Sequence, residues 1–158
     1  MYERIAVPID GSPTSNKALV AALNLASGMG GRARLRLLHV VDESALITGM
    51  DSMGSYPAEL FQAIRDDGAR IIEDAMKIAA AAGVEADSVL FDNPGQRLGE
   101  TVAAAVRAWP ADLVVVGTHG RRGIAHMLLG SGAEQIIRLA PVPVLVVRSP
   151  EKPEEGTP

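Results

Sequence analysis

The residues best placed to do chemistry in this chain are glycines. Gly117, Gly120 and Gly130 stand behind the apolar run Val114-Val115-Val116, and Ser131 follows at once. Glycine has no Cβ, so its backbone can approach a ligand closely and can take a positive φ. Free N–H groups in a loop, backed by a helix N-terminus, make a site for anions. The stretch therefore reads as a buried strand, a glycine-punctuated loop and a helix start, with phosphate bound at the strand's C-terminal end. Alone, these glycines could equally mark two unrelated turns. Ser131 and Glu134 have the S-x-x-E spacing of a capping box, which suits a helix that is capped when empty and takes a phosphate when occupied. Arg121 and Arg122 could neutralise terminal phosphates or simply be solvated. The only lysines are Lys17, Lys77 and Lys152, so the loop lacks the lysine of a G-x-x-x-x-G-K-[ST] phosphate loop. His119 lies inside the loop, but no carboxylate or nucleophile at a telling spacing supports catalysis by it. His39 and His126 read as structural or solvated rather than as metal ligands.

Composition narrows the field. A chain of 158 residues fits one domain with a sizeable core. A net charge of −4 disfavours nonspecific nucleic-acid binding, and 3% aromatics leave few platforms for stacking bases. The absence of cysteine excludes disulfides and thiolate metal sites and is compatible with a reducing cytosol. Met1 to Asp10 has no long apolar run behind a basic start, so no signal peptide is expected. No apolar run approaches the roughly 18 residues that span a bilayer.

The elements that must position the glycines alternate along the chain. Ile5 to Ile9 reads as a buried strand ending at Asp10-Gly11-Ser12-Pro13, where Ser12 can cap a helix and Pro13 suits its first turn. Ala18, Leu19, Ala22, Leu23 and Ala26 mark one helical face. Leu35 to Val41 is a second strand, with Arg34 and Arg36 near its exposed start. Asp42 to Pro57 has no clear period and reads as a mobile loop over one edge of the site. Leu60 to Ala79 recurs at helical spacing, weakened in its middle by Asp66-Asp67-Gly68 and stopped by Gly83. Ser88 to Phe91 is a third strand, Asp92 to Gly95 a turn, and Leu98 to Val106 a helix. Leu113 to Val116 is a uniformly apolar fourth strand, as in a sheet covered on both faces. A short helix carrying Ile136, Ile137 and Leu139 and a fifth strand, Val142 to Val147, follow. Ser149 to Pro158 reads as a disordered tail. This alternation predicts a single-domain, open five-stranded parallel α/β sheet with helices on both faces. With strand order 3-2-1-4-5, Asp10 and the glycine loop would share the crevice at the switch point. Asp10 there could hold a ribose or, through water, a metal, or it could merely cap the first helix.

At this point the sequence resembles the universal stress protein family. Its ATP-binding members carry G-x2-G-x9-G-[ST] after the fourth strand, matched here by Gly117, Gly120, Gly130 and Ser131. Val7-Pro8-Ile9-Asp10-Gly11-Ser12, His39-Val40-Val41-Asp42, Asn93-Pro94-Gly95 and Pro141 to Val147 match in the same order. The resemblance runs over residues 2 to 148, so the domain is expected to be 1–148 and the tail 149–158. It implies a Rossmann-like fold of the adenine nucleotide alpha hydrolase-like kind and a cytoplasmic, usually homodimeric protein that binds ATP, with Mg2+ or Mn2+ on the triphosphate, in the stress response. By resemblance, Pro8, Ile9 and Asp10 line the nucleoside pocket and Val40 meets the adenine. Gly117, Gly120, Gly130 and Ser131 receive ribose and phosphates. The flanking Val116 and Gly132 and, from the loop itself, Arg121 are added to the cofactor-binding set, while the linking segment Arg121 to Leu129 is the variable part of the family and its contacts do not transfer by resemblance. The homodimer is expected through Val142 to Val147, an apolar strand at the sheet edge. No catalytic residue is assigned. A slow ATP-hydrolysing enzyme and a nucleotide-free interaction protein are the competing readings.

Overall fold

The computed structural model describes residues 1–42, 58–93, 95–118 and 129–148. In chain order the elements are β1 (Arg4–Pro8), α1 (Pro13–Gly28), β2 (Arg34–Val40), α2 (Ala58–Ala81), β3 (Ala86–Phe91), α3 (Leu98–Ala108), β4 (Leu113–Gly117), α4 (Ser131–Leu139) and β5 (Val144–Val147). The strands form one parallel sheet in the order β3-β2-β1-β4-β5. This is the Rossmann-like α/β arrangement expected from the alternation of elements.

Side chains alternate between the two faces of a strand, and both faces here are apolar. Ile5, Val7, Leu35, Leu37, Leu113 and Val115 pack on one face against Leu19, Ala22 and Leu23 of α1 and Ala75 and Ala79 of α2. Ala6, Leu38, Val114 and Val116 pack on the other against Val102 and Val106 of α3 and Ala133 and Ile136 of α4. Burial of this two-sided layer is what fixes the positions of the strand ends.

Local chemistry sets the helix boundaries. Ser12 is the N-cap of α1, its Oγ accepting the Ser15 N–H at 3.2 Å, and Pro13 opens the first turn. At the end of α2, Gly83 takes φ +69°, with Gly83 N bonded to Ala80 O at 3.0 Å and Val84 N to Ala79 O at 3.2 Å. That pair of bonds is a Schellman closure, and its left-handed residue favours glycine. At the N-terminal end of the sheet, the Asp112 carboxylate accepts the N–H groups of Glu3 and Arg4, at 2.8 and 3.1 Å. Beside it, Arg36 makes a bidentate pair with Asp87, both contacts 2.6 Å, and lies 4.6 Å over the Trp109 ring. The hydrogen bond to Asp87 is the main reason the Arg36 guanidinium is held above its usual pKa.

Two expectations change. Asp66-Asp67-Gly68 does not weaken the second helix, which runs unbroken over 24 residues. Gly68 is buried and sits over the sheet, so close approach to β2 explains it. The fifth strand begins at Val144 rather than Val142. Its first ladder contact is the Pro143 carbonyl, which accepts the Val114 N–H at 3.0 Å, and proline has no N–H to extend the pairing backwards. The segment 43–57 and the tail 149–158 lie outside the described residues.

Candidate functional site

The strand order reverses between β1 and β4, and the crevice there is built from four chain segments. The first is the exit of β1. Pro8 is buried, Ile9 is buried and Asp10 is half-buried. Ile9 N–H donates to Leu38 O at 2.8 Å, so the chain stays alongside β2 for one residue past the strand. It then turns through Gly11, at φ +78°, into the cap of α1. Asp10 accepts the Ser12 N–H on Oδ1 at 2.9 Å, and the Asp10 N–H donates to Ser15 Oγ at 3.2 Å. Asp10 thus braces the turn before the helix while Ser12 caps it. The carboxylate is fixed at the switch point by its own backbone.

The second segment is the end of β2. Val40 is half-buried, and Val41 N–H donates to Phe91 O at 2.9 Å. His39, only 6% exposed, places Nδ1 2.8 Å from Ile9 O. A carbonyl only accepts, so Nδ1 carries the proton. The His39 ring therefore ties the end of β2 to the exit of β1.

The third segment is the end of β4, where Val116, Gly117 and Thr118 are buried. A Cβ on Gly117 would lie 2.6 Å from Thr14 O, 2.7 Å from Thr14 C and 3.1 Å from Ser15 N. Gly117 therefore lets the first turn of α1 rest directly on β4, a packing duty that the ligand-approach argument did not include. Thr118 N–H donates to Val147 O at 3.0 Å, and the Thr118 carbonyl accepts the Gly130 N–H, which clasps the two ends of the intervening segment together.

The fourth segment is the start of α4. Gly130 is its N-cap, at φ −72° and ψ 153°, and no side chain caps the helix. The capping box expected from Ser131 and Glu134 is absent because Ser131 is already the first helical residue. The N–H groups of Ser131, Gly132 and Ala133 have no partner among the described residues, and the helix bonding begins with Glu134 N to Gly130 O at 3.0 Å. Gly130 takes no positive φ. Gly132 is close-packed: its Cβ would lie 2.8 Å from Leu98 Cδ2. Gly99 N–H donates to Gln135 Oε1 at 3.4 Å, which ties α3 to α4 and orients the α4 N-terminus.

Of the residues expected at the site, Pro8, Ile9, Asp10, Val40, Val116 and Gly117 lie at the C-terminal ends of β1, β2 and β4, and Gly130, Ser131 and Gly132 open α4. Gly120 and Arg121 lie outside the described residues, as do Arg122, His119 and His126. Residue reasoning missed Ser15 and Thr118. Ser15 could have been found from the serine spacing Ser12-x-x-Ser15, whereas nothing in the sequence marks Thr118. No group of three or more His, Asp or Glu able to hold a metal occurs among the described residues, and no described helix is long and apolar enough to cross a membrane. A depression of about 360 Å³ lined by Glu3, Arg4, Arg32, Arg34 and Trp109 opens at the opposite, N-terminal end of the strands, away from this crevice.

The universal stress protein family profile matches residues 1–148. Universal stress protein MJ0531 of Methanocaldococcus jannaschii is 34% identical over 152 residues, covering 96% of this chain and 85% of that protein. Universal stress protein YxiE of Bacillus subtilis is 34% identical, covering 94% and 100%. Among solved structures, a universal stress protein family member from Burkholderia pseudomallei superposes with TM-score 0.73 at 34% identity, covering 94% and 97%. The protein MJ0577 superposes with TM-score 0.79 at 23% identity, covering 96% and 99%, which speaks to the fold. A universal stress protein solved in complex with cAMP is 26% identical with TM-score 0.62, covering 92% and 97%. More distant members of the fold, from Arabidopsis thaliana and Archaeoglobus fulgidus, were solved with AMP and with dAMP. With the profile matching residues 1–148 and relatives 34% identical over nearly the whole chain, this chain belongs to the universal stress protein family.

Proposed function

We propose that this chain binds ATP, with Mg2+ or Mn2+ on the triphosphate, where β1 and β4 diverge, and that it works as a nucleotide-dependent regulatory module in a cytoplasmic stress response. The observation that carries the reading is the start of α4. Three first-turn N–H donors stand without a side-chain cap beside the switch point, and a helix N-terminus of that kind suits an anionic group. The relative solved with cAMP supports adenine as the base. Pro8, Ile9 and Asp10 would line the nucleoside and Val40 the adenine. Val116, Gly117, Gly130, Ser131 and Gly132, with Gly120 and Arg121, would receive ribose and phosphates.

The residues fit the nucleotide better than they fit a resident metal. The crevice offers backbone donors for phosphate oxygens, whereas the Asp10 carboxylate already accepts the Ser12 N–H. A divalent cation would therefore arrive on the triphosphate and keep phosphate oxygens and water as its main ligands. It would supply charge neutralisation for the phosphates. The chain's own residues would orient the ribose and hold the phosphates by backbone dipoles.

A homodimer through β5 belongs to the same proposal. The strand is an edge strand, Leu145 is 39% exposed on it, and pairing with the same strand of a second copy would cover that edge in an isologous contact. The test is direct. Protein purified without added nucleotide is denatured, its released small molecules are identified by mass spectrometry, and the emptied protein is titrated with ATP, GTP and cAMP in magnesium by calorimetry. Adenine nucleotide in the extract and saturable ATP binding are expected. An empty extract together with no binding at millimolar ATP would replace this reading with that of a nucleotide-free interaction protein.

A further inference from the structure

Gly68 is a misfit by local rules. It lies in the interior of α2, where glycine is a poor helix former, and it is not at a turn or a cap. Its surroundings explain it. A Cβ there would lie 2.8 Å from His39 Cδ2, 3.0 Å from His39 Nε2 and 3.2 Å from Leu90 Cδ1. The missing side chain is the seat of the His39 imidazole. The ring, so seated, carries its Nδ1 proton to Ile9 O at 2.8 Å. Ile9 is where β1 has ended and the chain heads for Asp10, and the next residue after His39 is Val40. One buried ring therefore touches the exit of β1, belongs to the end of β2 and is held down by α2.

We infer that His39 is a positioning residue for the nucleotide crevice and that Gly68 is the device that sets it. The inference rests on the nucleotide reading above. His39 fixes the Ile9 carbonyl, and with it the direction in which Asp10 enters the site. α2 contributes no residue to the proposed nucleotide contacts, yet through Gly68 it governs the base and ribose side of the crevice. The hydrogen bond is what matters rather than the bulk of the ring. Asparagine can place an amide N–H near the position of Nδ1, while leucine fills space without a donor.

The experiment uses the full chain and ATP with magnesium, with affinity read by calorimetry and folding by circular dichroism and thermal melting. Gly68→Ala and His39→Leu should each weaken ATP binding about fivefold, the equivalent of one hydrogen bond. His39→Asn alone should stay within about twofold of wild type, a small fraction of a hydrogen bond on the same scale. The double variant His39→Asn with Gly68→Ala should bind better than Gly68→Ala alone, because the shorter side chain vacates the space the new methyl needs while keeping the donor. A merely structural role predicts no such rescue of affinity. If Gly68→Ala does not fold, the contrast between His39→Asn and His39→Leu decides by itself. Wild-type affinity in folded Gly68→Ala and His39→Leu proteins would overturn the inference and leave the nucleotide reading standing. Failure of the wild-type chain to bind any nucleotide would overturn both.

Discussion

Replacing Gly117 by alanine separates the two duties a glycine can have in a motif of this kind. The added Cβ meets backbone, the Thr14 carbonyl at 2.6 Å for the oxygen and 2.7 Å for the carbon, and the Ser15 nitrogen at 3.1 Å. No rotamer change can relieve a clash with backbone, so β4 and the first turn of α1 must separate by a few tenths of an ångström or more. Both are held: β4 is flanked by β1 and β5, and α1 is capped at that turn by Ser12. Overpacking of this sort costs about 1–3 kcal/mol. For a domain of this size each kcal/mol lowers the melting temperature by about 2–4 °C, so a loss of about 2 kcal/mol predicts a fall of about 4–8 °C. The assay is thermal unfolding by circular dichroism on protein stripped of nucleotide, with Gly28→Ala as the control. Gly28 has nothing within 4 Å of where its Cβ would stand, so that variant should melt with the wild type. A Gly117→Ala protein that melts within about 1 °C of wild type without ligand, below what overpacking costs, would refute the packing argument and return Gly117 to a purely ligand-facing role.

Other outcomes follow from the same geometry. Gly120→Ala combined with Gly130→Ala should leave the fold intact, since Gly130 sits at an ordinary φ of −72°, and should weaken ATP binding about tenfold, equivalent to about 1.4 kcal/mol, by calorimetry; unchanged affinity in the folded double variant would remove the glycine loop from the site. Phosphate release under saturating ATP with magnesium or manganese should stay well below about one turnover per second, because backbone donors bind ground and transition states alike. Sustained faster turnover abolished by Asp10→Ala or Arg121→Ala would make the protein an enzyme. Leu145→Lys should halve the mass seen by light scattering at micromolar concentration if copies pair through β5, and a wild-type monomer would count against that pairing.

Much of the fold was legible because the chain announces it locally. The uniformly apolar Leu113 to Val116 marked a sheet covered on both faces, and Ser12-Pro13 marked the start of α1 through a cap that the structure contains. The alternation of elements gave a parallel sheet, and the strand order assumed for it, 3-2-1-4-5, is the order the sheet has. What local patterns could not carry were contacts between distant segments. Gly68 looked like a weak point in its helix because the reason for it, His39, lies 29 residues earlier and on another layer. The packing duty of Gly117 was not legible because the Thr14 backbone it rests against is remote in sequence. Ser131 looked like a cap because S-x-x-E does not reveal that Gly130 already occupies that position.

The position of β1 also has a consequence for how the protein is made. β1 is the earliest of the sheet's strands to be synthesised and the central strand of the sheet. It pairs early with β2, but its other neighbour, β4, and the Asp112 carboxylate that accepts the Arg4 N–H come 108 residues later. Throughout that interval one edge of this buried, largely apolar strand has no native partner, and such an edge invites pairing with other chains. Contacts of such sequence separation also close slowly. The crevice between β1 and β4 is therefore completed only when most of the chain has been synthesised. A ligand of that crevice stabilises the finished sheet and no earlier intermediate.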